Sequence, residues 1–492
     1  MPLQNLENLI KEERGNILKI INNLVSLLVC LFYIFATSIC FSPQVHAMTI
    51  GKEKKLAKKY MKQMRNSGLI IKDPIISSLV QNIGDEIVSK LPPQPFKYSF
   101  FVFDVDGFNA FATPGANIFI NRGLITSLDT IDELAGIIAH ETAHAANRHI
   151  SQLIDKSKIV NIATLAGVIA GVLIGSKADG DLGQGLAMGA LAAGHSAMLT
   201  YTREHETEAD QKGFEYLTKT SFSPTGLKTS LKKIRAADFY GTENIPDYLK
   251  THPGSAKRIQ SLEIMNANYQ REKKPVSAQE ARNERYNFEM IKYRIVGLYK
   301  ESSHANKIFS RLLKKEPDNA AYHYGFALAL IKQLQFDKAK VHLKKALAKK
   351  LFDPLILLEI SNLYLQEGEA QKAVNILKNI KDNPGVKTSA LYLLGQAQVE
   401  LGNYKEAKSN LANVIDSPAM VIPKVYYYMA KIYSRENNPG LKHYFLGQYY
   451  FEIKNNKNAR THLIKALETL SNKKQVEKAN LILKEIKELE TQ

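Results

Sequence analysis

Tryptophan is absent from the 492 residues, and only two cysteines occur, Cys30 and Cys40. Both lie in an apolar segment near the N-terminus. The chain beyond it can therefore form no disulfide and offers no thiolate as nucleophile or metal ligand. Acidic residues are outnumbered, 48 against 66 basic ones, for a formal net charge of +18. Such an excess favours anionic surroundings, such as lipid head groups or acidic partners. Nucleic acid is the competing partner. The sequence lacks a zinc finger, an aromatic ribonucleoprotein motif and basic-region heptads, and its lysines are scattered over helical repeats as solvated faces, so no nucleic-acid partner is expected. The length exceeds one ordinary domain, and a hydrophobic content of 45% is ample for a core.

Leu24 to Phe41 is uncharged and mostly apolar, and Lys11, Arg14 and Lys19 precede it. Val45-His46-Ala47 then places small residues where a signal peptidase reads. Residues 1–47 read as a secretory signal cleaved near Ala47, so that the chain beyond it is exported. Glu7, Glu12 and Glu13 offset the leading charge, and the run can just span a bilayer, which keeps an inner-membrane anchor at 24–41 as the alternative. Ile39 stands where a lipoprotein cleavage box needs a small residue before Cys40.

Downstream, Lys52 to Arg65 reads as a basic helix. Pro74 to Leu91 is a second helix, with Ile76, Leu79, Val80, Ile83, Ile87 and Leu91 as its buried stripe. Tyr98 to Val105 reads as a strand, Asn109 to Gly115 as a turn and Asn117 to Asn121 as a short strand. That short strand can either capture an extended substrate by strand addition or serve as a plain sheet edge. Thr130-Ile-Asp-Glu133 fits a capping box, and Ile131, Leu134, Ile137 and Ile138 continue as a helical stripe.

That helix carries His140-Glu-Thr-Ala-His144. Two histidines four apart share one helical face and can point at one metal, and Glu141 can reach a water held there. A catalytic zinc usually takes three protein ligands and leaves one position for water. One protease class places a glycine three residues, and a histidine six residues, after the second histidine. Asn147 and Ile150 stand at those positions and exclude that class. His149 lies about 140° around a continuous helix from His144, off the ligand face, and reads as a supporting residue. The better third ligand is Glu206, with Asp210 one turn on to orient a ligand histidine. Glu204 and Glu208 face elsewhere as solvated carboxylates, and His205 is rotated about 100° from Glu206.

His140-Glu-x-x-His144, Glu206-x-x-Ala-Asp210, Asn109-Ala-Phe-Ala-Thr-Pro-Gly115 and Thr251-His-Pro253, in this order, resemble the M48 zinc metallopeptidases over about residues 50 to 270. Ala116 departs from the pattern, since the family often has a second glycine there. The resemblance implies one zinc ion held by His140, His144 and Glu206, with Glu141 catalytic and Asp210 behind the ligands. It also implies that His252 and Arg258 lie near the active site, as further catalytic candidates beside Glu141. His252 can donate to the tetrahedral intermediate, occupy the open zinc position, or be a capping residue before Pro253.

Ile159 to Ser176 and Leu186 to Thr202 are uncharged, with glycines at four-residue spacing. This hairpin, 159–202, can be buried, lie on a membrane surface or span it, and the first two are preferred. Residues 271–283 are charged, contain Pro275 and read as a linker. Beyond them Ala305, Ala339, Ala373 and Ala407 recur every 34 residues, followed four residues on by Phe309, Leu343, Leu377 and Leu411. The pattern resembles the tetratricopeptide repeat, interrupted before Ala459 by an extra helix at Val425 to Ser434. Its concave groove binds protein or props the protease.

The expected architecture is α+β and mostly helical. A metalloprotease domain with a small sheet (48–270) is followed by an α-solenoid (284–492). The expected activity is an exported zinc metalloendopeptidase. The whole order of segments resembles periplasmic quality-control members of the family. That resemblance implies unfolded or misassembled outer-membrane proteins as clients and the barrel-assembly machinery as partner of the repeats. The alternatives are a chaperone or adaptor and an inner-membrane-anchored protease.

Overall fold

The computed structural model describes residues 48–156, 201–239, 247–253, 255–269, 278–417 and 422–490. The expected signal segment and most of the glycine-rich hairpin at 159–202 lie outside the described residues. Helix α1 (Ile50–Asn66) precedes α2 (Pro74–Val88). Asp73 caps α2 by accepting from the backbone N–H groups of Ile75 and Ile76 at 2.9 and 3.1 Å, and Pro74 fills the first turn, where no N–H is needed.

Three strands come next: β1 (Ser99–Phe103), β2 (Ala110–Thr113) and β3 (Asn117–Asn121). Their order is β1-β3-β2, with β1 parallel and β2 antiparallel to β3. This corrects two expectations. Ala110 to Thr113 is a strand rather than part of a turn. Asn109, Pro114 and Gly115 punctuate the stretch, but the four residues between are buried and pair with β3. As a result β3 is the central strand, bonded on both sides, and cannot accept a substrate by strand addition; β1 and β2 are the outer strands, and the outer side of β1 is partly bonded by residues 69–71. Ala116 holds the left-handed conformation at φ 60°, so its departure from the family glycine places a Cβ where glycine is favoured.

Helix α3 (Arg122–Ser127) leads to α4 (Ile131–Ala146), which carries the histidines. Thr130 caps α4 by accepting from Glu133 N at 3.2 Å, and the Glu133 carboxylate reaches back to Asp129 N at 2.7 Å. Every residue from Glu133 to Ala145 is buried, because α4 runs through the core. After α5 (His149–Lys156), helices α6 (Arg203–Thr218) and α7 (Thr225–Phe239) pack on α4, and α8 (Asp247–Thr251) and α9 (Ser255–Tyr269) come after them. Gly213 sets the approach of α6. A Cβ there would lie 3.2 Å from Ala139 C and His140 N, so glycine lets the α6 backbone close on the histidine turn of α4.

Helix α10 (Ala278–Tyr299) begins inside the expected linker. Ala, Gln, Glu and Arg there are good helix formers, so charge alone did not mark a break. Then come α11 (Ser302–Lys315), α12 (Ala320–Lys332), α13 (Phe336–Lys349), α14 (Pro354–Gln366), α15 (Ala370–Ile380), α16 (Lys387–Glu400) and α17 (Tyr404–Ile415). The extra helix is α18 (Pro423–Arg435), and α19 (Pro439–Glu452), α20 (Asn456–Leu467) and α21 (Lys473–Glu490) close the array. Ala305, Ala339, Ala373, Ala407 and Ala459 are all fully buried, as are Phe309, Leu343, Leu377, Leu411 and Leu463 four residues on. The 34-residue period is therefore the register of helix packing.

The repeats pack on the N-terminal half. One buried apolar cluster continues from Ile71 and Leu134 through Phe288 and Ile295 to Leu377 and Leu394. The last helices return to the first: Lys454 Nζ donates to Asn66 Oδ1 at 2.9 Å, and Lys62 pairs with Glu488 at 3.7 Å.

Within the repeats the turns at Leu334, Gly368, Gly402 and Lys454 all take positive φ, at 60°, 77°, 79° and 65°. Leu334 stands 75% exposed at this glycine position. Leu334→Gly should stabilise the protein by about 0.5–1 kcal/mol, through relief of the Cβ clash less the added chain entropy. Denaturant unfolding measures this; a destabilised variant would show that the leucine side chain makes a useful contact.

Candidate metal and active site

Helices α4 and α6 and the loop after α8 deliver the chemistry. His140 and His144 lie one turn apart on α4, with their Nε2 atoms 3.0 Å from each other. Glu206, in the first turn of α6, stands opposite. Its Oε1 lies 3.3 Å from His144 Nε2, and its Oε2 lies 3.5 Å from His140 Nε2. His252 completes the ring, with Nδ1 2.9 Å from Glu206 Oε1 and 3.4 Å from His140 Nε2. Donor atoms from these four buried residues all lie within 4.8 Å of one another. Glu141 is fully buried beside them, its Oε1 3.6 Å from His252 Nε2. Neither Glu141 oxygen has a hydrogen-bond partner among the described residues.

Behind these groups lies a supporting layer. Asp210 Oδ1 faces His140 Nδ1 at 3.0 Å, which directs the other ring nitrogen inward. Arg258 grips Asp210 with two bonds, from Nε at 2.7 Å and Nη2 at 2.8 Å, and its Nη1 pairs with Glu206 Oε2. The Arg258 guanidinium is thus committed to the two carboxylates. Tyr201 stacks on His144 at 3.9 Å between centroids, and Tyr248 stacks on His252 at 4.3 Å. Nothing in the sequence pattern pointed to either tyrosine.

The electrostatics are set by burial and pairing. Burial opposes the charged form of His140, but the carboxylates of Asp210 and Glu206 outweigh it and push the imidazole pKa up to about 9. Burial, with His140 beside it, drives His144 well below its ordinary range. Glu206 is held well below the carboxylate range although burial works against ionisation, because His252 and Arg258 face it. Burial raises Glu141.

His149 does not lie where a continuous helix would put it. Helix α4 ends at Ala146, and Arg148 turns left-handed at φ 55° before α5 starts. His149 Nδ1 consequently comes to 2.9 Å from His144 Nδ1, and its Nε2 lies 3.2 Å from Glu208 Oε2. Glu208 is half-exposed and engaged, not merely solvated as its helical phase suggested. Asn147, a residue favoured where helices stop, was the available signal.

Residues 73–266 match Peptidase family M48. The chain carries an M48 peptidase domain. Residues 389–418 match a tetratricopeptide repeat. The chain is 27% identical over 372 residues to the beta-barrel assembly-enhancing protease of Escherichia coli strain K12, covering 74% of this chain and 73% of that protein. It is 24% identical over 387 residues to the protein of the same name from Yersinia pestis, covering 77% and 74%. The M48 region is also similar to the mitochondrial metalloendopeptidase OMA1 of Schizosaccharomyces pombe, at 30% identity over 155 residues, or 32% of this chain and 42% of that protein. The chain thus joins a region similar to metallopeptidases to a helical region with a tetratricopeptide repeat. Among the described residues no helix is long and apolar enough to cross a membrane.

Proposed function

We propose that the chain is an exported zinc metalloendopeptidase in which His140, His144 and Glu206 hold the metal and Glu141 is the general base. The carrying observation is the convergence of these donors on one buried point within an M48 domain. Two imidazoles and a carboxylate are a donor set that suits zinc, and the unpartnered Glu141 carboxylate beside them fits a group that takes its proton from bound water. Zinc, when bound, supplies Lewis acidity and a water of lowered pKa. Glu141 takes the water proton and delivers it to the leaving amine. Asp210 keeps His140 Nδ1 occupied, and Arg258 keeps Asp210 and Glu206 in place rather than touching substrate.

His252 belongs to the donor cluster, with Nδ1 2.9 Å from Glu206 Oε1 and Nε2 3.6 Å from Glu141 Oε1, so it would offer a fourth protein donor to a metal held there. In that role it would keep water from the metal and hold the site closed. His252→Ala should raise hydrolysis of an unfolded substrate; an unchanged rate removes His252 from the mechanism.

The similarity to beta-barrel assembly-enhancing proteases supports a place in the periplasm, in the assembly and quality control of outer-membrane barrel proteins. The repeats would carry the contact with the barrel-assembly machinery and with unfolded clients, and the 159–202 segment any contact with a membrane surface. The test is zinc content and casein cleavage by the protein. One zinc per chain, cleavage lost on chelation and cleavage restored by zinc are expected. Cleavage that survives complete metal removal would refute the assignment.

A further inference from the structure

We infer that Glu208 and His149 are positioning residues that hold His144 in the tautomer able to bind metal. The inference rests on the zinc assignment above and adds two residues to it.

His144 faces the donor cluster with Nε2. To present a lone pair there, the neutral ring must carry its proton on Nδ1. That nitrogen lies 2.9 Å from His149 Nδ1. Of two facing ring nitrogens only one can donate, and Glu208 decides which. The Glu208 carboxylate lies 3.2 Å from His149 Nε2 and can only accept. It therefore fixes the His149 proton on Nε2 and leaves His149 Nδ1 as the acceptor. His144 Nδ1 then donates, and its Nε2 is bare. The opposite arrangement sets a lone pair of His149 against a carboxylate and puts a proton on the very nitrogen the metal needs. His149 does for His144 what Asp210 does for His140.

The backbone is built to allow this. On an unbroken α4 helix His149 would point away from His144. The left-handed turn at Arg148 swings it behind the ring, and that turn is pinned from a distant helix. Glu53 of α1, 2% exposed, accepts from Arg148 Nε at 2.7 Å and pairs with Nη2 at 2.6 Å. The other Glu53 oxygen accepts from Gly115 N at 3.1 Å. His205 stacks on His149 with centroids 4.3 Å apart and planes 16° from parallel, which fixes the ring plane.

The test is zinc affinity of the full chain, by competition with a chromogenic chelator. His149→Ala should weaken zinc binding by about 10- to 100-fold. His149→Gln should restore most of it, since its amide oxygen can accept from His144 and its NH2 can donate to Glu208. Glu208→Ala changes a half-exposed side chain with little risk to the fold, and should weaken zinc roughly three- to tenfold. If His149→Ala fails to fold, Glu208→Ala carries the test. A wild-type protein that binds zinc while the variants stay within about twofold of it overturns the inference and leaves the zinc assignment standing. His149→Gln as weak as His149→Ala also overturns it. A wild-type protein that binds no zinc removes both.

Discussion

Glu141→Gln should lower peptide hydrolysis by about 10²- to 10⁴-fold while leaving the protein folded and metal-loaded. The side chain is fully buried and has no hydrogen-bond partner among the described residues, so replacing one carboxylate oxygen by an amide breaks no hydrogen bond and alters only the 3.6 Å approach to His252 Nε2. Zinc content and thermal midpoint are therefore expected to match the unmodified protein. What is lost is basicity. Burial raises the Glu141 pKa, which brings the carboxylate nearer the neutral range where a group can both take and return a proton. An amide can do neither. Casein cleavage at the unmodified rate would exclude Glu141 as the base. The same variant separates protease from adaptor: if it still relieves outer-membrane defects in a deletion strain, binding through the repeats is the main function.

Arg294→Met should destabilise the protein by about 3–5 kcal/mol. Arg294 on α10 is buried, and it bonds Asp73 through Nε at 2.9 Å and Nη2 at 2.8 Å. Its Nη1 donates to Glu359 at 2.6 Å and to Tyr324 Oη at 2.7 Å. These partners come from the start of α2 in the peptidase half and from α12 and α14 in the repeats. Methionine fills much of the volume but leaves the two carboxylates in the interior without their cation, and that residual charge is the cost. The thermal midpoint should fall on the order of 5 °C, and the boundary between peptidase and repeats should become sensitive to proteolysis. A midpoint unchanged within error would mean that Asp73 and Glu359 find other partners, such as the backbone N–H groups that Asp73 already caps. Lysine at this position would rescue poorly, because it cannot bridge two carboxylates with a fixed fork.

Much of this molecule was legible from local pattern. The capping box at Thr130 and the period-3.6 stripe placed α4, and the 34-residue spacing placed the buried alanines of the repeats, because both signals are set by neighbours within a turn or two. The pairing of His140 with His144 is likewise a property of one helix. Glu206 and Asp210 were visible as a second helical pair, but what holds them against α4 is the close approach at Gly213, which no spacing announces. Strand β2 was missed because turn residues flank four positions whose burial only the fold reveals.

The sequence by itself determined which side chains can do the chemistry and on which helices they sit, since helix phase is a local property. Tertiary structure alone decided that Arg258 grips Asp210 and Glu206, that His252 enters the donor cluster, and that a left-handed Arg148, pinned by Glu53 from 95 residues earlier, brings His149 behind His144. Those contacts join groups far apart in the chain, and their positions are set by how whole helices pack, not by any repeat or spacing within one of them.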